Sequence, residues 1–160
     1  MSDRQHTSAL FRWAAIAFGV ALAVHGADHL RRGMAATPPA VMIAGSVQLP
    51  LAAVTLVLVF TRSRWAPHAA IAVGFASAVG FTAAHLLPHW GFFSDSFINA
   101  APAAHVTMFS WVSAVAEITA DLLVGIAGIA VLRARSLARR PKFKSRNENR
   151  SSTWPGAARE

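Results

Sequence analysis

Histidine is the most versatile chemical group in this 160-residue sequence, and the spacing of three of its seven histidines invites a site. His25 and His29 stand four residues apart, with Asp28 between them and Arg32 one turn beyond. At 100° per residue, His25, Asp28, His29 and Arg32 fall on one face of a helix. Two neutral imidazoles at this spacing can hold one ion, and imidazole suits zinc, copper, iron or nickel. His85 supplies a third metal ligand, and Asp28 either a fourth or the carboxylate that orients a histidine. The same residues admit a second chemistry, because His25 and His85 on two helices could grip a b-type haem from its two sides.

A third chemistry lies farther along the chain. Ser110, Ser113, Glu117 and Asp121 lie on one helical stripe. An isolated charge deep in a bilayer costs about 2.5–3.5 kcal/mol on insertion scales. Glu117 and Asp121 must therefore be paired or neutral inside a bundle, and they could carry a proton or ion outward toward His25 and His29. Gln48, Thr55 and Ser113 are the polar side chains expected to hydrogen-bond to them. His89 and His105 are weaker candidates for the histidine cluster, since histidines near helix ends also rest at headgroup level, bonded to water. The plain alternative to all three is a structural or accessory membrane subunit.

Several chemistries are excluded. No cysteine is present, which rules out disulfides, thiolate ligands, iron–sulfur clusters and covalently attached c-type haem. No His-Glu-x-x-His or Gly-x-Ser-x-Gly pattern occurs, so the sequence does not identify an enzyme.

The elements that must position these residues are transmembrane helices. Charged residues make up only 14% of the chain against about 25% in soluble domains, and mean hydropathy is +0.43. The formal charge of +8 does not indicate nucleic-acid binding, because most of the Lys and Arg residues lie from Arg133 onward, outside every apolar run. Apolar runs predict four spans, over about 9–30, 38–60, 67–87 and 105–132. They define an all-α, polytopic four-transmembrane-helix bundle over about 9–133, after a polar lead of about 1–8. From about 134 to 160, Pro, Ser, Asn and charges predict a basic, disordered tail suited to anionic lipids. Pro50 inside the second span predicts a kink, and the Gly, Ala and Ser of the third predict close helix packing.

The positive-inside rule orients the bundle in a plasma membrane with both termini cytoplasmic, since only Arg31 and Arg32 fall outside. A cleaved signal peptide over about 1–23 is the competing reading of the first run. In this orientation His25, His29 and His85 lie in the outer half. The loop from His89 to Ala104, with Trp90, Phe92, Phe93 and Phe97 around Asp95, is expected to cover them at the interface. A membrane-protein partner or a second copy completes the expected contacts of the bundle.

Overall fold

The structure, a computed structural model, describes residues 3–139. Four helices carry the chain back and forth: α1 (Asp3–Arg32), α2 (Pro39–Phe60), α3 (Ala66–Phe81) and α4 (Met108–Arg139). There is no strand among the described residues. Four segments, His6–Arg32, Pro39–Phe60, Ala66–Leu86 and Met108–Ala138, are long and apolar enough to cross a membrane. The fold is therefore the all-α four-helix bundle expected from the apolar runs. The end at which α1 and α3 finish and α2 and α4 begin is called here the upper end.

The helix boundaries differ from the hydropathy pattern in instructive ways. α1 begins at Asp3, within the polar lead. α4 begins at Met108, because His105 adopts a left-handed backbone (φ 51°) that ends the preceding 3-10 turn. α4 also runs on to Arg139, so residues 134–139 are helical where disorder was expected. Arg133 and Arg135 suit the negative end of that helix, and Arg135 donates to the Arg64 carbonyl at 3.1 Å. The remaining tail, 140–160, lies outside the described residues. Pro50 is accommodated within a continuous α2.

Packing is uneven. α4 lies against both α1 and α3, whereas α2 touches its neighbours far less. The α3–α4 contact depends on glycine: a Cβ at Gly74 would stand 2.5 Å from the Asp121 carbonyl oxygen, and one at Gly128 would stand 2.8 Å from that of Pro67. Small residues thus bring the two backbones together, the usual solution where no hydrophobic effect drives helices to associate. Phe18 fills the middle of the core, beside Ala15, Ala120 and Val124.

Candidate metal centre

The upper end of α1 carries His25 and His29 one turn apart, their Nε2 atoms 3.2 Å from each other. His85 reaches the same point from α3. There the helix widens into a π-turn, Thr82–Leu86, which places His85 at its C-terminal end. Such turns are rare and recur at functional sites. The turn stops at Leu87, which is extended (φ −92°, ψ 152°) as the residue before Pro88 must be. One ring nitrogen from each of His25, His29 and His85 lies within 4.8 Å of the others. The ring centroids are 4.8 Å apart for His25–His29, 4.9 Å for His25–His85 and 5.6 Å for His29–His85.

Two of the rings are oriented from behind. His85 Nδ1–H donates to the Asp95 carbonyl at 3.1 Å, which leaves Nε2 as the nitrogen with a free lone pair. His29 Nδ1 is hydrogen-bonded to the Thr37 hydroxyl at 3.0 Å. Thr37 can reach back because Gly33 turns the chain after α1 at φ 90°, ψ 143°, a conformation open essentially to glycine alone. Outer hydrogen bonds of this kind fix ring orientation and raise ligand basicity in metal sites. The His25 Nδ1 has no hydrogen-bond partner among the described residues.

The loop between the π-turn and α4 closes over this cluster. Its Asp95 and Phe97 amides donate to the carbonyls of Ala84 and His85, and the Trp90 indole donates to that of Ala83. Those bonds satisfy carbonyls that the end of a helix leaves unpaired. Phe97 packs on the His85 ring at 4.7 Å and on Trp111 at 5.6 Å. Arg32 anchors the loop. Its guanidinium grips both Asp95 oxygens at 2.7 Å, and its Nε donates to the Ala104 carbonyl at 2.8 Å. This pair is buried on both sides. The covering role expected of the loop is thus taken by Asp95 and Phe97, while Trp90 and Phe92 stay exposed.

Other sequence candidates go elsewhere. Asp28 does not join the histidines. It turns toward α4, where Oδ1 accepts from Arg31 Nε at 2.9 Å and from the Ser110 hydroxyl at 3.1 Å. One residue of helix is 100° of rotation, enough to put Asp28 and His29 on different neighbours. Orientation from behind comes instead from Asp95, through its backbone, and from Thr37. Neither belongs to a helical stripe, and the only sequence signals were the lone acid of the loop and the glycine that turns Thr37 back. His89 and His105 are exposed and outside the cluster.

Glu117 and Asp121 are fully buried, and all four of their carboxylate oxygens lack a hydrogen-bond partner among the described residues. The bonds expected from Thr55 and Ser113 are not made. Both hydroxyls donate to carbonyls of their own helices, Leu51 and Ser110. Gln48 lies instead in the wall of a groove that the histidines also line. Comparison with protein-family models, curated proteins and solved structures gives no match to this chain.

Proposed function

We propose that this chain is an integral membrane protein that binds a transition-metal ion through His25, His29 and His85. The observation that carries the reading is the convergence of three ring nitrogens within 4.8 Å, contributed by two different helices. Nitrogens about 2.0–2.1 Å from a tetrahedral zinc stand about 3.3–3.4 Å apart, and the His25–His29 pair is at 3.2 Å. Three histidines with a fourth position open is the donor set of catalytic zinc, and copper or iron also accept it. The spacing favours an ion over a haem gripped by His25 and His85. Those two rings meet edge to face with centroids 4.9 Å apart, which leaves no room for a macrocycle between them.

The distribution of Arg supports a plasma-membrane orientation with cytoplasmic termini and an outward-facing metal centre. The basic residues after Arg139 then face the anionic inner leaflet, where each is worth about 1 kcal/mol of attraction.

Elemental analysis of the purified protein tests the central reading. One equivalent of zinc, copper or iron is expected in the wild type, and its loss in His25→Ala, His29→Ala and His85→Ala. His68→Ala, at the opposite end of the bundle, should keep the full equivalent. Retention of metal by all three cluster variants would sink the reading, and a Soret band would turn it toward haem.

A second reading rests on the buried, unpartnered Glu117 and Asp121, which suit a proton or cation path through the bundle. Flux in proteoliposomes that vanishes in Glu117→Gln and Asp121→Asn would support it. Wild-type flux no greater than that of empty vesicles would remove it.

A further inference from the structure

Beside the histidine cluster, α1, α2 and α3 part to leave a groove of about 640 Å³. That volume is within the range of about 300–1,000 Å³ typical of small-molecule sites. It exists because α2 packs loosely and because glycines form parts of its walls. Among the described residues, no atom beyond the adjoining turns of its own helix lies within 4 Å of where a Cβ would stand at Gly26, Gly45 or Gly80, all three of which face the groove. This contrasts with Gly74 of the same α3, whose missing Cβ is needed for contact with α4.

The lining has two chemistries. Most of it is aliphatic or aromatic, contributed at membrane depth by residues such as Leu22, Val41 and Leu49. The three imidazoles stand against the upper part, and Gln48 and Ser77 add two further polar side chains to the lining. Gln48 Nε2 and Ser77 Oγ are buried and have no hydrogen-bond partner among the described residues. Buried polar atoms in native proteins almost always have a partner. An amide nitrogen only donates, so what Gln48 Nε2 lacks is an acceptor, while the Ser77 hydroxyl can pair with either kind of group. Among the described residues, no Asp, Glu, Lys or Arg lines the groove. The nearby guanidinium groups are engaged, Arg32 by Asp95 and Arg31 by Asp28.

We propose that this groove binds a neutral, lipid-soluble carbonyl compound of the quinone class, which enters sideways from the bilayer. The apolar wall takes the hydrocarbon body. The carbonyl oxygen accepts from the Gln48 amide and lies next to the imidazoles. A fatty acid shares the apolar body but brings a carboxylate, for which the groove supplies no cationic side chain. The proposal goes beyond the metal reading and does not depend on it, because the donors that define the head belong to the protein.

A decyl-substituted benzoquinone is the probe, titrated into the protein in lipid nanodiscs while tryptophan fluorescence is recorded. Trp90 lines the groove, so saturable quenching is expected in the wild type and should disappear in Trp90→Phe. Gly80→Leu places a side chain in the groove without meeting protein atoms near its Cβ, and should weaken binding by at least about tenfold. Gly45→Leu does the same from the facing wall, and serves if the first variant fails to fold. Gln48→Leu should weaken binding by about three- to tenfold, the effect of one lost hydrogen bond. No saturable quenching in the wild type overturns the proposal, as does unchanged binding in both leucine variants. Displacement of the quinone by equimolar decanoate overturns the assignment of a neutral head. Metal content, measured on the same samples, separates the two readings. Metal without quenching leaves the ion site standing and removes the groove ligand, and quenching without metal does the reverse.

Discussion

The upper end of the bundle and its middle treat buried carboxylates in opposite ways. At the upper end Arg32 and Asp95 are buried, yet they are bonded twice to each other, and the loop backbone adds further partners. In the middle, Glu117 and Asp121 are equally buried and their carboxylates have no partner among the described residues. The difference follows from what each region is made of. The upper end contains irregular chain, whose unpaired amides and carbonyls are free to meet side chains. The middle contains only helices, whose backbone groups are already used within the helices themselves. Buried carboxylates are bonded to side chains at one end and stand without such bonds in the middle.

The sharpest way to break this contrast is to remove one member of the upper ion pair. Arg32→Ala leaves Asp95 buried without its partner, for which about 3–5 kcal/mol of destabilisation is expected. It also releases the loop from Ala104 and from the face of Phe97, over which the guanidinium stands at 5.2 Å. Denaturant titration in mixed micelles measures the loss. A double replacement, Arg32→Met with Asp95→Leu, should recover much of it, since an apolar pair leaves no charge stranded. A loss below about 1 kcal/mol in the single variant would mean that water already screens the pair.

Orientation of the histidines offers the next test. Thr37→Val keeps the shape of the side chain and removes the hydroxyl bonded to His29 Nδ1. Metal affinity is expected to fall by about 10- to 100-fold, the usual effect of losing an outer hydrogen bond to a ligand. Competition with a chelating dye reads the change, and an unchanged affinity would show that packing alone holds the ring.

The construction of the middle is tested through its glycines. Gly74→Ala puts a methyl group where the Asp121 carbonyl stands, and backbone cannot yield as a side-chain tip does. Overpacking of this kind costs about 1–3 kcal/mol. Gly80→Ala, on the open side of the same helix, should be neutral or slightly stabilising because alanine favours helix over glycine. Equal effects at the two positions would refute the close α3–α4 contact.

How much of this was legible beforehand depends on regularity. The four spans follow from hydropathy and length, and helical spacing suffices to put His25 beside His29. Spacing and span depth also set His85 on their side of the bundle. Asp28 illustrates the limit of that reasoning: a stripe drawn by spacing includes it, yet the 100° between it and His29 sends it to Ser110 of α4. Asp95 and Thr37 lie in segments without a period, and their roles follow from how carbonyls are capped and where Gly33 turns the chain. The end of α4 departs from the composition for a different reason. Composition predicted loss of order at 134, but a helix already propagating through Leu132 extends at little cost through residues that suit its negative pole.

The smallest expected effect is the most diagnostic of the comparison. Glu117→Gln and Asp121→Asn keep nearly the same volume and hold the side chains in place, so they change little except the ability to carry charge. Where a carboxylate is bonded to a buried cation, as Asp95 is, such a change strands the partner. Glu117 and Asp121 have no such partner among the described residues, so nothing is stranded. The amide adds hydrogen-bond donors that also need satisfaction, which offsets part of the benefit of removing an ionisable group. The two contributions oppose each other, and stability is expected to stay within about 1 kcal/mol of the wild type or to rise. Asp95→Asn serves as the internal reference, since it weakens the grip on Arg32 and should fall well below both. If Glu117→Gln or Asp121→Asn instead loses more than Asp95→Asn, the carboxylates are bonded after all. The middle of the bundle would then follow the same rule as its upper end.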